Sequence, residues 1–522
     1  MLCAVDLGTT GIKAGIYSPE GELLAVGSTE RGLELPRPGL VEQSPVAGWE
    51  LLGATLRGVL ARNAGAAAAI EALVLSTQRG TFVAVDEQER PLTNLISWMD
   101  RRGLAICSRL KASVGLEHYY TQCGHPINPY IGLSKLLWVR EARPDLYERV
   151  KHFVPEHALF HRWLGADALV CDTATASFFA PFDVFRKTWN EPLLTRLGLA
   201  PQKLARLAPA TAIVGELSPT AAEHCGLRPG IKLVLGGGDG QCAGVGSGAV
   251  EPGTVMINFG TGTGVQTYLP AVKLDPKHNL NCAAHVVPYA WEMEGHTQAS
   301  GAVFRWVRDE LAPDLAEVAR QSGRNAYDGL THAAEPIPAG AEGLLFLPTF
   351  NGLSAPLDFA DARGGFVGLT LKHTRAHLVR AVMEGTLLEI RWLVEAIERM
   401  SGPASDLRAV GGAAASPVWC QMMADVLQRP INVLEVADAT LTGLAQIAAV
   451  ALQQFPDFQA ASRQWVHVQR VFEPDRRLTG VYGDLYAAFT GLYDTLQAAG
   501  VFTALGKVEG RASAERPAEM PA

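Results

Sequence analysis

A strand, a glycine- and threonine-rich turn and a return strand occur twice in this chain, about half a chain apart. No other feature constrains the fold as much. Near the start, Leu2-Cys3-Ala4-Val5-Asp6 reads as a buried strand, Leu7-Gly8-Thr9-Thr10-Gly11 as the turn, and Ile12 to Tyr17 as the return. Far downstream, Thr254-Val255-Met256-Ile257-Asn258 is followed by Phe259-Gly260-Thr261-Gly262-Thr263-Gly264 and then by Val265 to Tyr268. Small residues in such a turn let backbone N–H groups approach an anion, and hydroxyls add donors. Two anion cradles in two half-chains imply a polyphosphate gripped from both sides, which points to ATP chemistry.

The chain between and beyond the cradles reads as alternating helices and strands. Strands at 2–6, 12–17 and 23–26 follow one another across tight turns, which favours an antiparallel start. Helices are expected near 45–63, 132–142, 298–312, 374–400, 416–427 and 440–453. Further strands are expected at 73–75, 82–86, 231–235, 407–410 and 431–434, while 165–188 reads as irregular. From about 506 the apolar pattern gives way to Lys, Glu, Gly, Ser and Pro, so a disordered tail over 506–522 is expected. Two αβ halves that open with the same hairpin argue a duplication. Two unrelated αβ domains that each begin with a glycine-rich turn would give the same pattern.

Composition narrows the class. A length of 522 residues suits two or three domains of ordinary size. Apolar residues at 48% and charged residues at 19% suit a well-packed globular enzyme and exclude a disordered chain. A net charge of −8, with no Lys/Arg run, argues against a nucleic-acid partner. Eight scattered cysteines without a CxxC pair read as reduced core thiols of a cytoplasmic protein, not as a disulfide framework or a zinc site. No leader segment is expected, because the N-terminus runs straight into a strand with an acidic residue. No apolar run reaches the ~18 residues of a membrane span.

Particular side chains carry the chemistry. Asp6 closes the first strand just before the turn. It could hold Mg²⁺ through water or simply cap its own turn. Asp239, in Gly236-Gly237-Gly238-Asp239-Gly240, stands between a buried strand and a helix expected from Gln241 onward. It could be a helix N-cap, or a general base that takes a proton from a hydroxyl while phosphate moves. The same segment fits G-x-G-x-x-A, a dinucleotide fingerprint. That reading lacks its acidic partner about 20 residues on, since Glu251 comes too early. Gly411-Gly412 after a strand would let a flat nucleoside ring lie on the backbone, or simply allow close helix–strand packing.

With these motifs assembled, the chain resembles the FGGY family of carbohydrate kinases, in the actin-like ATPase superfamily. The resemblance runs from residue 2 to about 455. DLGTTGIKAG is similar to the family's first phosphate motif and INFGTGTGV to its second. GGGDGQCAGVG resembles the catalytic-aspartate segment, Lys135-Leu136-Leu137-Trp138 the K-L-x-W signature, and GGAAASPVWCQMMADVLQRPI the adenosine motif. The resemblance implies an α/β fold of two RNase H-like domains related by duplication, with the cleft between them closing around sugar and nucleotide. The domains would span 1–248 and 249–505. It implies a kinase using ATP and Mg²⁺, with Asp239 as base and Asp6 anchoring Mg²⁺. Thr9, Thr10, Gly260, Thr261, Gly262 and Thr263 would line the phosphates. Gly411, Gly412 and Gln421 would lie near the nucleoside, and Arg79, Trp98 and Tyr130 against the sugar. A homodimer is possible.

The substrate pocket departs from each subfamily. Gln78-Arg79-Gly80-Thr81 is similar to the glycerol-kinase pattern Q-R-E-T with Gly80 in place of Glu. Trp98-Met99-Asp100-Arg101-Arg102 and Pro129-Tyr130 look glycerol-kinase-like. The Met-His pair usual in xylulokinases is absent, yet GGGD and KLLWVREARPDLY read more like xylulokinase. Losing the Glu at Gly80 is expected to open volume for a longer ketose or polyol. The expected order is a pentulose such as xylulose, then glycerol or another short polyol, then a signalling sugar analogue. A sugar-sensing homologue without catalysis is the rival from a different class.

Overall fold

The computed structural model describes residues 1–514 apart from 64, 66, 324 and 437. It divides into two compact units. The first comprises Met1–Thr254, Gln266–Glu294 and Leu434–His467. The second comprises Val255–Val265, Gly295–Val433 and the chain from Val468 onward.

The first unit is built on a six-stranded sheet. Its order is Ile213–Glu216, Lys232–Gly238, Ala72–Thr77, Leu2–Leu7, Gly11–Tyr17, Leu23–Glu30. Leu2–Leu7 pairs antiparallel with Gly11–Tyr17 and parallel with Ala72–Thr77. The antiparallel start expected from the short turns is therefore present, and it continues into Leu23–Glu30. Side chains alternate across a strand, and here both sides are covered. Cys3, Val5 and Leu7 pack with Leu52, Leu56 and Val59 of the helix Pro45–Ala61. Leu2 and Ala4 pack with Cys242 and Val245 of Asp239–Gly246 and with Leu441, Leu444 and Ala445 of Ala439–Ala451. A strand buried on both faces reads as a continuous apolar run, as Ala72–Thr77 does.

Two helices of this unit cross at backbone contact. A Cβ on Gly443 would stand 1.8 Å from the Cys242 carbonyl oxygen, and one on Gly246 1.8 Å from that of Ala439. Ala439–Ala451 thus reaches the first unit from beyond most of the second.

The stretch 165–188, read as irregular, holds short pieces. These are the strand Val170–Asp172, the helical turn Thr173–Ala176 and a hairpin of Phe182–Asp183 with Thr188–Trp189. All eight cysteines are free and buried. Among the described residues no helix is long and apolar enough to cross a membrane.

In the second unit, Thr254–Phe259 neighbours Asp406–Gly411, which pairs in parallel with Ile431–Leu434. The helix Arg375–Ser401 opens with a reciprocal cap between Thr374 and His377 and runs 27 residues. Thr479–Ala498 buries Tyr482, Phe489 and Tyr493, which share one face of the helix. The Tyr482 hydroxyl donates to Glu384 and that of Tyr493 to Thr349. The tail expected to be disordered from 506 is instead helical through Ala514, within Val501–Ala514. Phe502 is buried there against Tyr493, and Ala, Lys and Glu are good helix formers whatever their polarity. Residues 515–522 of that expectation lie outside the described residues.

Glu389, inside Arg375–Ser401, is fully buried with Oε2 unpartnered, and burial pushes its carboxyl up to about 8. The folded chain holds this group neutral while the unfolded chain ionises it near 4.5. Its contribution to stability is therefore present below pH ~4.5 and is lost as pH rises to about 8. Glu389→Gln, measured by urea unfolding from pH 5 to 9, should remove that loss. The gain at pH 9 over wild type should be on the order of a few kcal/mol. Parallel pH profiles for the two proteins would refute it.

Candidate active site

Asp6 is the penultimate residue of the first strand, with Lys13 and Ser76 as its register partners on either side. Ser76 Oγ donates to Asp6 Oδ1 at 2.6 Å, and Lys13 is ion-paired with Asp438. Burial, and then Asp239, pushes the Asp6 carboxyl up to about 7, against the Ser76 hydrogen bond. A hard cation beside it would reverse that cost. A carboxylate oxygen that can reach an ion directly or through water suits Mg²⁺.

Lys232–Gly238 reaches Asp239 through a bulge. Its register with Ala72–Thr77 shifts between Val234 and Gly237. Gly236 sits at φ +74, where a Cβ would lie 1.8 Å from the Leu75 carbonyl oxygen. A bulge bends its strand and re-aims the residues that follow. Asp239 then opens the helix Asp239–Gly246, where the exposed N–H groups favour an anion. Its Oδ1 accepts from the Gly240 N–H at 2.8 Å, and the side chain remains 40% exposed.

Arg79 stands beside it, with Nε 3.5 Å from Asp239 Oδ1. The same guanidinium is gripped by both oxygens of Glu294, at 2.7 and 2.6 Å. It lies 3.7 Å from Glu292 and stacks on Phe178 at 4.3 Å. Glu292 is completely buried, and burial next to Glu294 holds it well above the carboxylate range. Neither glutamate was singled out from the sequence. The signal was available, since two acids two residues apart on the strand Trp291–His296 must share a face.

The Thr9 hydroxyl donates to Gln78 Oε1 and accepts from Trp98 Nε1, both at 3.0 Å. Gln78 in turn donates to Gln43, which donates to the Thr9 carbonyl. Thr9, expected on the phosphates, is therefore tied to Trp98, expected on the sugar, while Thr10 remains exposed. Trp98 and Tyr130 lie with ring centroids 5.9 Å apart. The expectation that Gly80 opens volume is corrected. Gly80 sits at φ +71, and a Cβ there would meet the Tyr130 carbonyl oxygen at 2.3 Å. Main chain fills the space, and no larger residue fits on this backbone.

In the second unit, the turn from Gly260 to Thr263 packs on the start of the helix Ser300–Trp306. Gly301 N–H donates to the Gly260 carbonyl, and Thr263 N–H to Thr297 Oγ1. A Cβ on Gly262 would lie 2.5 Å from the Thr297 carbonyl oxygen. Gly411, at φ +85, sits against Phe259, with a Cβ 2.6 Å from its carbonyl oxygen. Thus the glycines of both motifs meet at the end of one strand, with Gly412 next in the chain. Gln421 is exposed on Pro417–Leu427, its amide donating to Asp425 and to the Glu473 carbonyl.

The FGGY family of carbohydrate kinases, N-terminal domain, matches residues 1–246, and its C-terminal domain matches 255–452. A gluconokinase of Bacillus subtilis is 30% identical over 88% of this chain and 89% of its own. An autoinducer-2 kinase of Yersinia enterocolitica is 28% identical over 98% of both chains. The crystal structure of xylulose kinase from Rhodospirillum rubrum superposes with a TM-score of 0.87. It is 26% identical and covers 96% of this chain and 99% of that one. The chain belongs to the FGGY family of carbohydrate kinases, which are ATP-dependent phosphotransferases.

Proposed function

We propose that this protein transfers the γ-phosphoryl group of ATP to a terminal hydroxyl of a small uncharged ketose or polyol, with a pentulose such as xylulose first. The observation that carries the choice is the charge around Arg79. One guanidinium meets the carboxylates of Asp239 and Glu294, while Glu292, 3.7 Å away, is kept neutral by burial, so its positive charge is already spent. A substrate carboxylate, as on gluconate, would meet surplus negative charge there, and like charges brought together oppose binding. A neutral sugar escapes that penalty.

In this reading Asp239 accepts the hydroxyl proton, its side chain being 40% exposed. Arg79 stays oriented by Glu294 and contributes direction more than charge. Trp98 and Tyr130 bear on the sugar carbons. Thr9, Thr10, Gly260, Thr261, Gly262 and Thr263 line the phosphates. Gly411, Gly412 and Gln421 lie by the nucleoside. Mg²⁺, held through water by Asp6, would neutralise charge on the transferred group. Phosphoryl transfer otherwise depends on positioning and charge stabilisation.

The test is ADP release with Mg-ATP against xylulose, ribulose, erythrulose, glycerol, erythritol, arabinitol and gluconate. A pentulose should give the highest kcat/KM, with gluconate at least tenfold lower. Gluconate as the best substrate would overturn the charge argument. Glycerol or erythritol first would move the substrate to short polyols. Silence across the panel, with ATP binding intact, would favour the sugar-sensing alternative.

A further inference from the structure

Lys135 lies in the helix Gly132–Ala142 with its side chain fully buried. Its ammonium donates to three main-chain carbonyls: Trp98 at 3.2 Å, Pro129 at 3.1 Å and Tyr130 at 3.3 Å. An ammonium has three donors, so none is left for a ligand. Filling the same space with an aliphatic side chain would avoid the desolvation of a buried polar group. What the amine adds is a tie between two segments that are distant in sequence.

Those segments are otherwise held at their outer ends. The Trp98 N–H donates to Thr81 Oγ1 at 2.9 Å, and its indole N–H reaches Thr9. The Tyr130 N–H donates to Asn128 Oδ1 at 3.0 Å, and its carbonyl closes on Gly80. Lys135 joins them through the carbonyls of Trp98 and Tyr130 themselves, the two residues whose rings lie 5.9 Å apart.

We propose that Lys135 is a positioning residue for substrate, fixing the spacing of Trp98 and Tyr130 by gathering their carbonyls on one ammonium. The inference rests on the reading that these two rings bear on the sugar. Lys135 touches no substrate itself. Removing it should let the two segments drift apart, and displacements of about 1 Å at a binding surface can cost up to ~10²-fold.

The experiment compares wild type with Lys135→Met by amide hydrogen exchange and by steady-state kinetics. Peptides covering 97–100 and 128–131 should exchange at least about tenfold faster, with those over 2–7 and 72–77 unchanged. KM for the best sugar should rise about 10–100-fold, while KM for ATP and kcat stay within about twofold, the pattern of lost uniform binding. Unchanged exchange in the two segments overturns the tie, as does faster exchange throughout the unit. Local loosening with an unchanged sugar KM overturns the link to substrate. The exchange measurement needs no sugar, so a wild type silent with every sugar removes the kinase reading and leaves the tie to be judged by itself. If Lys135→Met does not fold, Lys135→Gln, which keeps a donor for fewer carbonyls, should show both effects at intermediate size. Failure of both variants to fold makes Lys135 purely structural and ends the proposal.

Discussion

Asp239→Asn is expected to lower kcat by about 10²–10⁴-fold, the usual contribution of a general base, while leaving nucleotide affinity and the melting temperature near wild type. The substitution keeps an oxygen that can accept from the Gly240 N–H, so the hydrogen bond at the start of Asp239–Gly246 is retained. What it removes is the site for the proton and one of the two negative charges that face Arg79, those of Asp239 and Glu294. Glu294 continues to hold the guanidinium through two bonds, so Arg79 should not relocate. Single-turnover kinetics with pre-bound ATP and the best sugar read the chemical step directly. Near-wild-type turnover would take the base role away from Asp239. A fall in nucleotide affinity equal to the fall in rate would make it a binding residue instead.

Gly443→Ala should be among the most destabilising single methyls in the first unit. Its Cβ would lie 1.8 Å from the Cys242 carbonyl oxygen and 2.9 Å from the Gly246 nitrogen. Both are backbone atoms of the helix that Asp239 opens, so no side chain can swing away and the two helices must separate. Overpacking of a close interface costs about 1–3 kcal/mol or more. That corresponds to a melting temperature lower by roughly 1–5 °C in a unit of this size. Activity should fall with it, because the displaced helix carries Asp239. Gly491→Ala is the control. Gly491 lies inside Thr479–Ala498 with nothing within 4 Å of its added Cβ, so the change should stabilise by up to about 1 kcal/mol. Equal melting temperatures for the two variants would contradict the contact argument.

Much of the fold was legible because local signals agreed with each other. Short apolar runs joined by a tight turn marked the first hairpin, and Gly8, Gly11, Gly260 and Gly262 marked both turns. Pro144 and the apolar spacing of Leu133, Leu136 and Leu137 bounded the helix Gly132–Ala142 as expected. The site was legible where a motif is continuous, as around Asp6 and Asp239. It was not legible where partners meet only in three dimensions. Glu294 stands 215 positions from the arginine it grips, and Lys135 holds carbonyls, which no side-chain pattern announces. Gly80 misled for a related reason. A missing side chain suggests room, but a positive φ and the Tyr130 carbonyl against it show a glycine required by its backbone. The helix at 501–514 was missed because composition was weighed there and helix propensity was not.

The discontinuous make-up of the first unit sets an order on biosynthesis. Leu2, Ala4, Val74 and Val234 are covered by Leu441, Leu444 and Ala445, which leave the ribosome roughly 190 residues after the unit's first long segment ends at Thr254. At 5–20 residues per second, that apolar sheet face waits on the order of 10–40 s for its cover. A nascent chain halted before Leu434 should therefore be protease-sensitive and bind a chaperone that recognises apolar strands, and one extended past His467 should not. Cutting the gene near residue 250 would yield an N-terminal fragment whose central sheet keeps Asp239–Gly246 on that face but permanently lacks Leu441, Leu444 and Ala445.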